Sequence, residues 1–322
     1  MLNLAMGGTY DFLDGLVVAN TCDHVRRLYD VYKRKLGDPI PLYFLSLPHV
    51  VSAEGEAWVV EEFKRLLDQL ASATGAGVTD ADVGRSMEEY TRNERLLGRL
   101  QELRTADPPK VSGREFVALA VANASVPVEF ANEQLERVVR AVEKRPALRA
   151  PRARLLLAGS YVDDPSFVGV LEHSGALVVV DNLCTSLRGQ ARAQTADDAA
   201  PGAQDDPVTR LAWKYYRQEI CPRVMNQFPR RLALVDRLLA EGVDGVVLQR
   251  LEFCDLHGNE NMLLQHALKR RGVPMLNVDR EYFTGDAGRL KTRVEAFVEK
   301  IERTKEKRKR ESDEDARSEK VR

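Results

Sequence analysis

The sequence predicts an α/β fold built on short parallel sheets, and three observations predict it. Short apolar, β-branched runs recur along the chain, and they read as strands buried on both faces. Helix-length amphipathic segments separate them, the alternation that produces parallel strands joined by crossover helices. The 322 residues, 44% of them apolar, exceed what a single core of about 250–300 residues organises, so two such sheets are expected.

The elements follow in order. Gly15–Ala19 (GLVVA) is the first strand, and a helix runs from His24 to Lys35, with Thr21 or Asp23 available as its cap. Leu42–Leu47 (LYFLSL) is the next strand, closed by Pro48. Glu56–Leu70 carries Trp58, Val59, Phe63, Leu66, Leu67 and Leu70 at helical spacing. Ser86–Arg104, Ser112–Asn123 and Val128–Lys144 continue as helices, and Ser112 with Glu115 fits a capping box. The composition shifts at Arg145–Arg152 (RPALRAPR), and a second α/β unit begins. Its strands are Arg154–Ala158, Ala176–Val180, Gly245–Gln249 and Pro274–Val278. Its helices are Pro165–Ser174, stopped by Gly175, then Thr209–Glu241 with a break near Pro222 and Pro229, then Asn261–Arg271. Gln190–Pro207 lacks periodicity and reads as a surface loop. The last helix presents Leu290, Val294, Phe297, Val298 and Ile301 on one face. Nearly everything beyond Glu302 is charged, a solvated helix extension or a disordered tail. The division expected is 1–150 for a first α/β domain with a helical insert, 151–302 for a second, and 303–322 for the tail.

Charge excludes several partners. Lys+Arg (48) and Asp+Glu (49) nearly cancel, so nothing draws the chain toward nucleic acid or an anionic membrane. The KEKRKR run is followed at once by Glu311, Asp313, Glu314 and Asp315. No run of about 18 apolar residues is present. The first residues have no basic region ahead of an apolar one, so a cytoplasmic chain is expected. No GxxxxGK[ST] motif is present, so a P-loop ATPase is not expected; no GxGxxG follows a strand, which argues against NAD or FAD.

The four cysteines, Cys22, Cys184, Cys221 and Cys254, form no CxxC pair. Their placement is more informative than their spacing. In open α/β sheets, function gathers past the carboxyl ends of the strands. Cys22, Cys184 and Cys254 each follow a predicted strand within five residues, whereas Cys221 lies in a helical stretch. Cys22-Asp23 and Cys254-Asp255 repeat the same dipeptide. A thiolate at a helix N-terminus is stabilised by the dipole and by free N–H groups, a setting suited to a soft metal or a redox centre. It does not distinguish iron from zinc.

Six segments carry a family resemblance: Asp11–Tyr32 (DFLDGLVVANTCDHVRRLYDVY), Phe44–His49 (FLSLPH), Arg154–Pro165 (RLLLAGSYVDDP), Val179–Cys184 (VVDNLC), Glu252–Asp255 (EFCD) and Gly288–Phe297 (GRLKTRVEAF). In that order they resemble the 2-hydroxyacyl-CoA dehydratase / benzoyl-CoA reductase family over nearly the whole chain. The first block and the Trp58 helix are most similar to the benzoyl-CoA reductase branch. The resemblance implies two Rossmann-like domains plus helical elements, and pairing with a homologous sister subunit. It implies one [4Fe-4S] cluster held by three cysteines, fed electrons by a separate ATP-hydrolysing iron–sulfur activator. The substrate is an acyl-CoA, with low-potential reduction of an aromatic acyl-CoA as the expectation and (R)-2-hydroxyacyl-CoA dehydration as the alternative.

By the same resemblance Cys22 matches the family's second cluster ligand and Cys254 its third. The family's first ligand lies well upstream of the block containing Cys22, and no cysteine precedes Cys22 here. A chain that starts at an internal Met is the favoured explanation, and a degenerate, non-catalytic partner subunit is the other. Cys184, as a strand-end cysteine, is a third candidate metal ligand; Cys221 is weaker. Two histidines are candidate catalytic residues: His257, three residues after Cys254, as a proton donor, and His49, past a strand end. His24, Arg26 and Arg27 are either hydrogen-bonding groups near Cys22 or a solvated helix surface.

Overall fold

A computed structural model describes residues 2–36, 40–186, 206–217, 221–281 and 287–319. The expected loop at Gln190–Pro207 falls almost wholly outside these residues. Two compact units form, Met1–Glu88 with Gln194–Arg230, and Glu89–Ala193 with Arg231–Arg322. The fold is mixed α/β, with short parallel sheets flanked by helices.

In the first unit, α1 (Leu2–Met6) precedes β1 (Leu16–Ala19), α2 (Asp23–Leu36), β2 (Leu42–Leu45) and α3 (Ala53–Thr74). β1 and β2 pair in parallel, Leu16 opposite Leu42 through Ala19 opposite Leu45. β2 is two residues shorter than expected. The Ser46 N–H leaves the ladder and donates to the Glu62 carboxylate at 2.8 Å. α3 starts earlier than expected because Ser52 caps it, accepting from the Gly55 N–H at 3.1 Å, and it stops at Gly75 in the left-handed region. α8 (Pro207–Arg217) packs on α3, with Ala212 and Tyr216 buried against Val59 and Val60. Cys221 lies in the turn after α8 rather than in a helix, its carbonyl accepting the Val224 N–H at 3.0 Å.

α4 (Asp80–Thr105) starts six residues before the expected Ser86, because Thr79 and Asp82 cap one another. Its second half packs with α5 (Gly113–Asn123) and α6 (Val128–Lys144) around Leu97, Leu100, Phe116, Leu135 and Val139. The capping box at Ser112 and Glu115 forms as the sequence predicts.

The second unit's sheet has four parallel strands in the order β4-β3-β5-β6: β3 (Arg154–Gly159), β4 (Leu177–Asn182), β5 (Gly245–Leu251) and β6 (Met275–Arg280). Leu155, Leu156 and Leu157 are all fully buried, because helices cover both faces of β3. One face holds α5, α7 (Pro165–Glu172) and α11 (Ala287–Glu319), packed through Val117, Phe167, Leu171, Val294 and Val298. Leu234, Val235 and Leu238 of α9 (Phe228–Leu239) and Leu264 and Leu268 of α10 (Asp255–Arg270) are buried as well. α11 continues the last helix through the charged tail to Glu319.

Candidate functional site

The order β4-β3-β5-β6 reverses direction at β3, so the switch point of this sheet lies between β3 and β5. Gly159 makes that junction possible. Its φ is +137°, and a Cβ there would stand 1.7 Å from the Gln249 carbonyl oxygen. Just beyond it, the Ser160 hydroxyl accepts the Leu251 N–H at 2.7 Å. The Gln249 side-chain amide donates to the Ser160 carbonyl at 2.6 Å, and Arg280 Nε donates to Gln249 Oε1 at 3.2 Å. Arg280 also donates to the Tyr161 carbonyl and stacks over Phe167. Sequence reasoning missed Ser160, Gln249 and Arg280. They hold the strand-end segment that leads from Leu251 to Cys254.

Cys254 is the N-cap of α10, and its carbonyl accepts the Gly258 N–H at 2.8 Å. The residue before it, Phe253, has φ +66° and is 79% exposed. Cys22 repeats this arrangement in the first unit. It follows β1 by three residues, immediately precedes α2, and its carbonyl accepts the Arg26 N–H at 3.0 Å. Both sulfurs belong to half-buried residues. Asp23 pairs with Arg26, and that guanidinium holds its carboxyl below the ordinary range.

Cys184 follows β4 by two residues and is exposed. Its sulfur lies 3.7 Å from Nε2 of His257, which is buried in the first turn of α10. The chain between β4 and Cys184 is fixed by Asp181, fully buried with Arg104 at 2.6 Å and accepting the Ser186 hydroxyl at 2.9 Å. α10 is fixed in turn by a buried fork: Arg231 Nε to Glu260 Oε1 at 2.7 Å, and Nη2 to Oε2 at 3.1 Å.

His49 lies past β2 in the first unit, half-buried, with its carbonyl accepting the Met225 N–H at 2.9 Å. His24, also named from the sequence, is exposed on α2. The structure thus pairs Cys184 with His257 and sets both in the same unit as Cys254, while Cys22 and His49 belong to the other unit.

Each Cys-Asp pair at a helix N-terminus has the chemistry of a single soft-metal ligand. Among the described residues, however, no three His, Cys, Asp or Glu side chains form one group able to hold a metal ion. The described donors therefore suit individual cluster ligands but do not make a complete set. No described helix is long and apolar enough to cross a membrane.

Similarity to known proteins places the chain in a family. Residues 1–301 match the family model described as 2-hydroxyglutaryl-CoA dehydratase, D-component. One subunit of the benzoyl-CoA reductase of Thauera aromatica is 22% identical over 306 residues, 93% of this chain and 77% of the relative. The beta subunit of (R)-2-hydroxyglutaryl-CoA dehydratase from Acidaminococcus fermentans is 21% identical, covering 93% and 79%. The (R)-phenyllactyl-CoA dehydratase beta subunit of Clostridium sporogenes is 20% identical, covering 93% and 78%. With a match that spans nearly its whole length, this chain belongs to the 2-hydroxyglutaryl-CoA dehydratase D-component family.

Proposed function

We propose that this chain is an iron–sulfur subunit of an acyl-CoA-transforming enzyme, with Cys22 and Cys254 as ligands to one [4Fe-4S] cluster. The observation that carries the reading is the repeat itself. A Cys-Asp pair follows a parallel strand by three residues and opens a helix, once in each unit. Both cysteines stand at the positive end of a helix, the setting that favours a thiolate ligand. Such a cluster, when bound, supplies single electrons at low potential. All four cysteines of the sequence are among the described residues, so a third thiolate ligand would come from Cys184 or from a homologous sister subunit. Electrons would come from a separate ATP-hydrolysing iron–sulfur activator.

The chain's own residues handle protons and position. His257, its Nε2 3.7 Å from the Cys184 sulfur, serves as the proton donor in this reading, and His49, past the end of β2, is the second candidate for proton transfer. Cys184, whose sulfur lies 3.7 Å from His257 Nε2, is the third candidate metal ligand of this chain. The Ser160–Gln249–Arg280 network and the Arg231–Glu260 fork keep Cys254 and His257 in place on α10. Reduction of an aromatic acyl-CoA is the activity proposed. Two of the three relatives named above are dehydratase subunits, which makes (R)-2-hydroxyacyl-CoA dehydration the second reading.

Iron and acid-labile sulfide analysis of anaerobically isolated protein tests the cluster. The expected content is about four of each per chain. Protein isolated without iron under those conditions would leave a non-catalytic partner subunit as the role of this chain.

A further inference from the structure

The turn after β4 presents one thiol to solvent and pins the residues around it. Asp181, Asn182, Leu183 and Ser186 are buried, and Cys184 in their midst is exposed. Asp181 binds Arg104 at 2.6 Å and accepts the Ser186 hydroxyl at 2.9 Å. Arg104 is fully buried and donates from Nε to the Val178 carbonyl at 2.8 Å. The Thr185 hydroxyl donates to the Val162 carbonyl at 2.8 Å. These bonds fix the turn on both sides of Cys184 and leave its sulfur open to small reagents.

Behind that sulfur stands an imidazole. Nε2 of His257 lies 3.7 Å from Sγ, and His257 is only 4% exposed. In the tautomer whose Nε2 carries no hydrogen, the thiol donates to it. The Arg231–Glu260 fork holds α10 in place three residues further on. The other cysteines are set differently. Cys22, Cys221 and Cys254 are half-buried, and none of the four is disulfide-bonded.

An accessible sulfur and an adjacent proton acceptor are what thiol–disulfide exchange requires. Exposure lets the S–S bond of a reagent reach the sulfur from solvent. The imidazole on the inner side takes the proton that the thiol loses as it attacks.

We infer that Cys184 is a modification site, at which a low-molecular-weight disulfide forms a mixed disulfide and takes Cys184 out of the metal-ligand set. The Cys184 sulfur attacks one sulfur of the reagent. A new S–S bond forms, the reagent's own S–S bond breaks, and its second sulfur leaves as a thiol. The Cys184 sulfur is oxidised and the departing sulfur is reduced, so the reagent is the only oxidant. The thiol proton passes to His257 Nε2 and on to the leaving sulfur. The exclusion of metal rests on the iron–sulfur reading above, with Cys184 as a ligand. The modification itself rests only on Cys184 and His257.

The test uses the full chain, stripped of metal by a chelator under anaerobic conditions, with glutathione disulfide as the probe. Each cysteine is followed by peptide mass mapping after the remaining thiols are blocked. Cys184 should be capped roughly ten-fold faster than Cys22, Cys221 or Cys254. That ranking is read on the unaltered chain, so it does not depend on a variant folding. His257→Asn should slow capping of Cys184 several-fold while Cys221 reacts as before. Equal rates at all four cysteines, faster capping at another one, or a Cys184 rate unchanged in His257→Asn would overturn the inference. So would an internal disulfide in place of the mixed one. The capped chain is then offered iron and sulfide beside the uncapped one. It should take up roughly ten-fold less iron, and dithiothreitol should restore the uptake. Equal iron in both forms removes the exclusion of metal and leaves the cap. No iron in either form removes the cluster reading, and selective capping at Cys184 still stands.

Discussion

Gly159 and Glu260 show how much of the second unit depends on single positions. At Gly159 the backbone of β3 crosses against the Gln249 carbonyl with φ +137°, so any side chain meets both strain and a steric clash. Gly159→Ala should cost about 3 kcal/mol in urea unfolding, with the β3–β5 junction disturbed. Glu260 is one turn beyond His257, and both it and Arg231 have side chains 6% exposed. Glu260→Ala leaves a guanidinium buried without its carboxylate and should cost on the order of 3–5 kcal/mol. Its chemical consequence differs from that of His257→Ala. Removing the imidazole should lower kcat by about 10²–10⁴-fold while iron content stays unchanged. A His257→Ala protein with full turnover would end the proton-donor role. Little of this was legible in the sequence. Cys22, Cys184, Cys254 and His257 stood out because their types and strand-end positions carry chemistry. Arg223 and Tyr216 could not, since the partners that give them meaning lie more than 150 residues away.

The secondary-structure elements were legible wherever their own residues decide them. The apolar cores of β1, β4 and β5 were visible as valine-rich, β-branched runs and that of β3 as a leucine run, and α6 begins and ends where its periodicity says. The ends were not legible where polar residues extend an element. β4 runs on through Asp181 and Asn182, and β5 through Arg250 and Leu251, because parallel pairing continues there with Leu157–Ala158 and Asp279–Arg280. α10 begins at Asp255 rather than at Asn261, which makes Cys254 its N-cap. α5 yields a prediction in pH. Arg145 binds the Glu115 carboxylate, and Ser112 adds hydrogen bonds, so its pKa falls from 4.5 to about 2. A depressed carboxylate contributes stability that is complete above pH 4.5 and lost as pH falls toward about 2. Glu115 is 44% exposed, so the contribution is small and screened by salt. Arg145→Ala should lower the melting temperature at neutral pH and flatten its dependence on pH in that window. An Arg145→Ala protein with the same acid dependence as the parent would contradict the assignment. Glu172 has the opposite sign. Burial raises its pKa although it accepts the Gly113, Arg114 and Val178 N–H groups, so its contribution falls as pH rises above 4.5.

At the scale of the whole molecule, two α/β units each carry one Cys-Asp pair at the start of a helix that follows a parallel strand. The cluster reading requires that those two cysteines, far apart in the chain, serve one group. The direct test compares Cys22→Ser, Cys254→Ser and Cys221→Ser, each isolated anaerobically and assayed for iron and labile sulfide. Shared ligation predicts that either of the first two substitutions alone removes nearly all of the iron, while Cys221→Ser keeps it. Cys22→Ser and Cys254→Ser proteins that each retain the parent's full iron would contradict the claim.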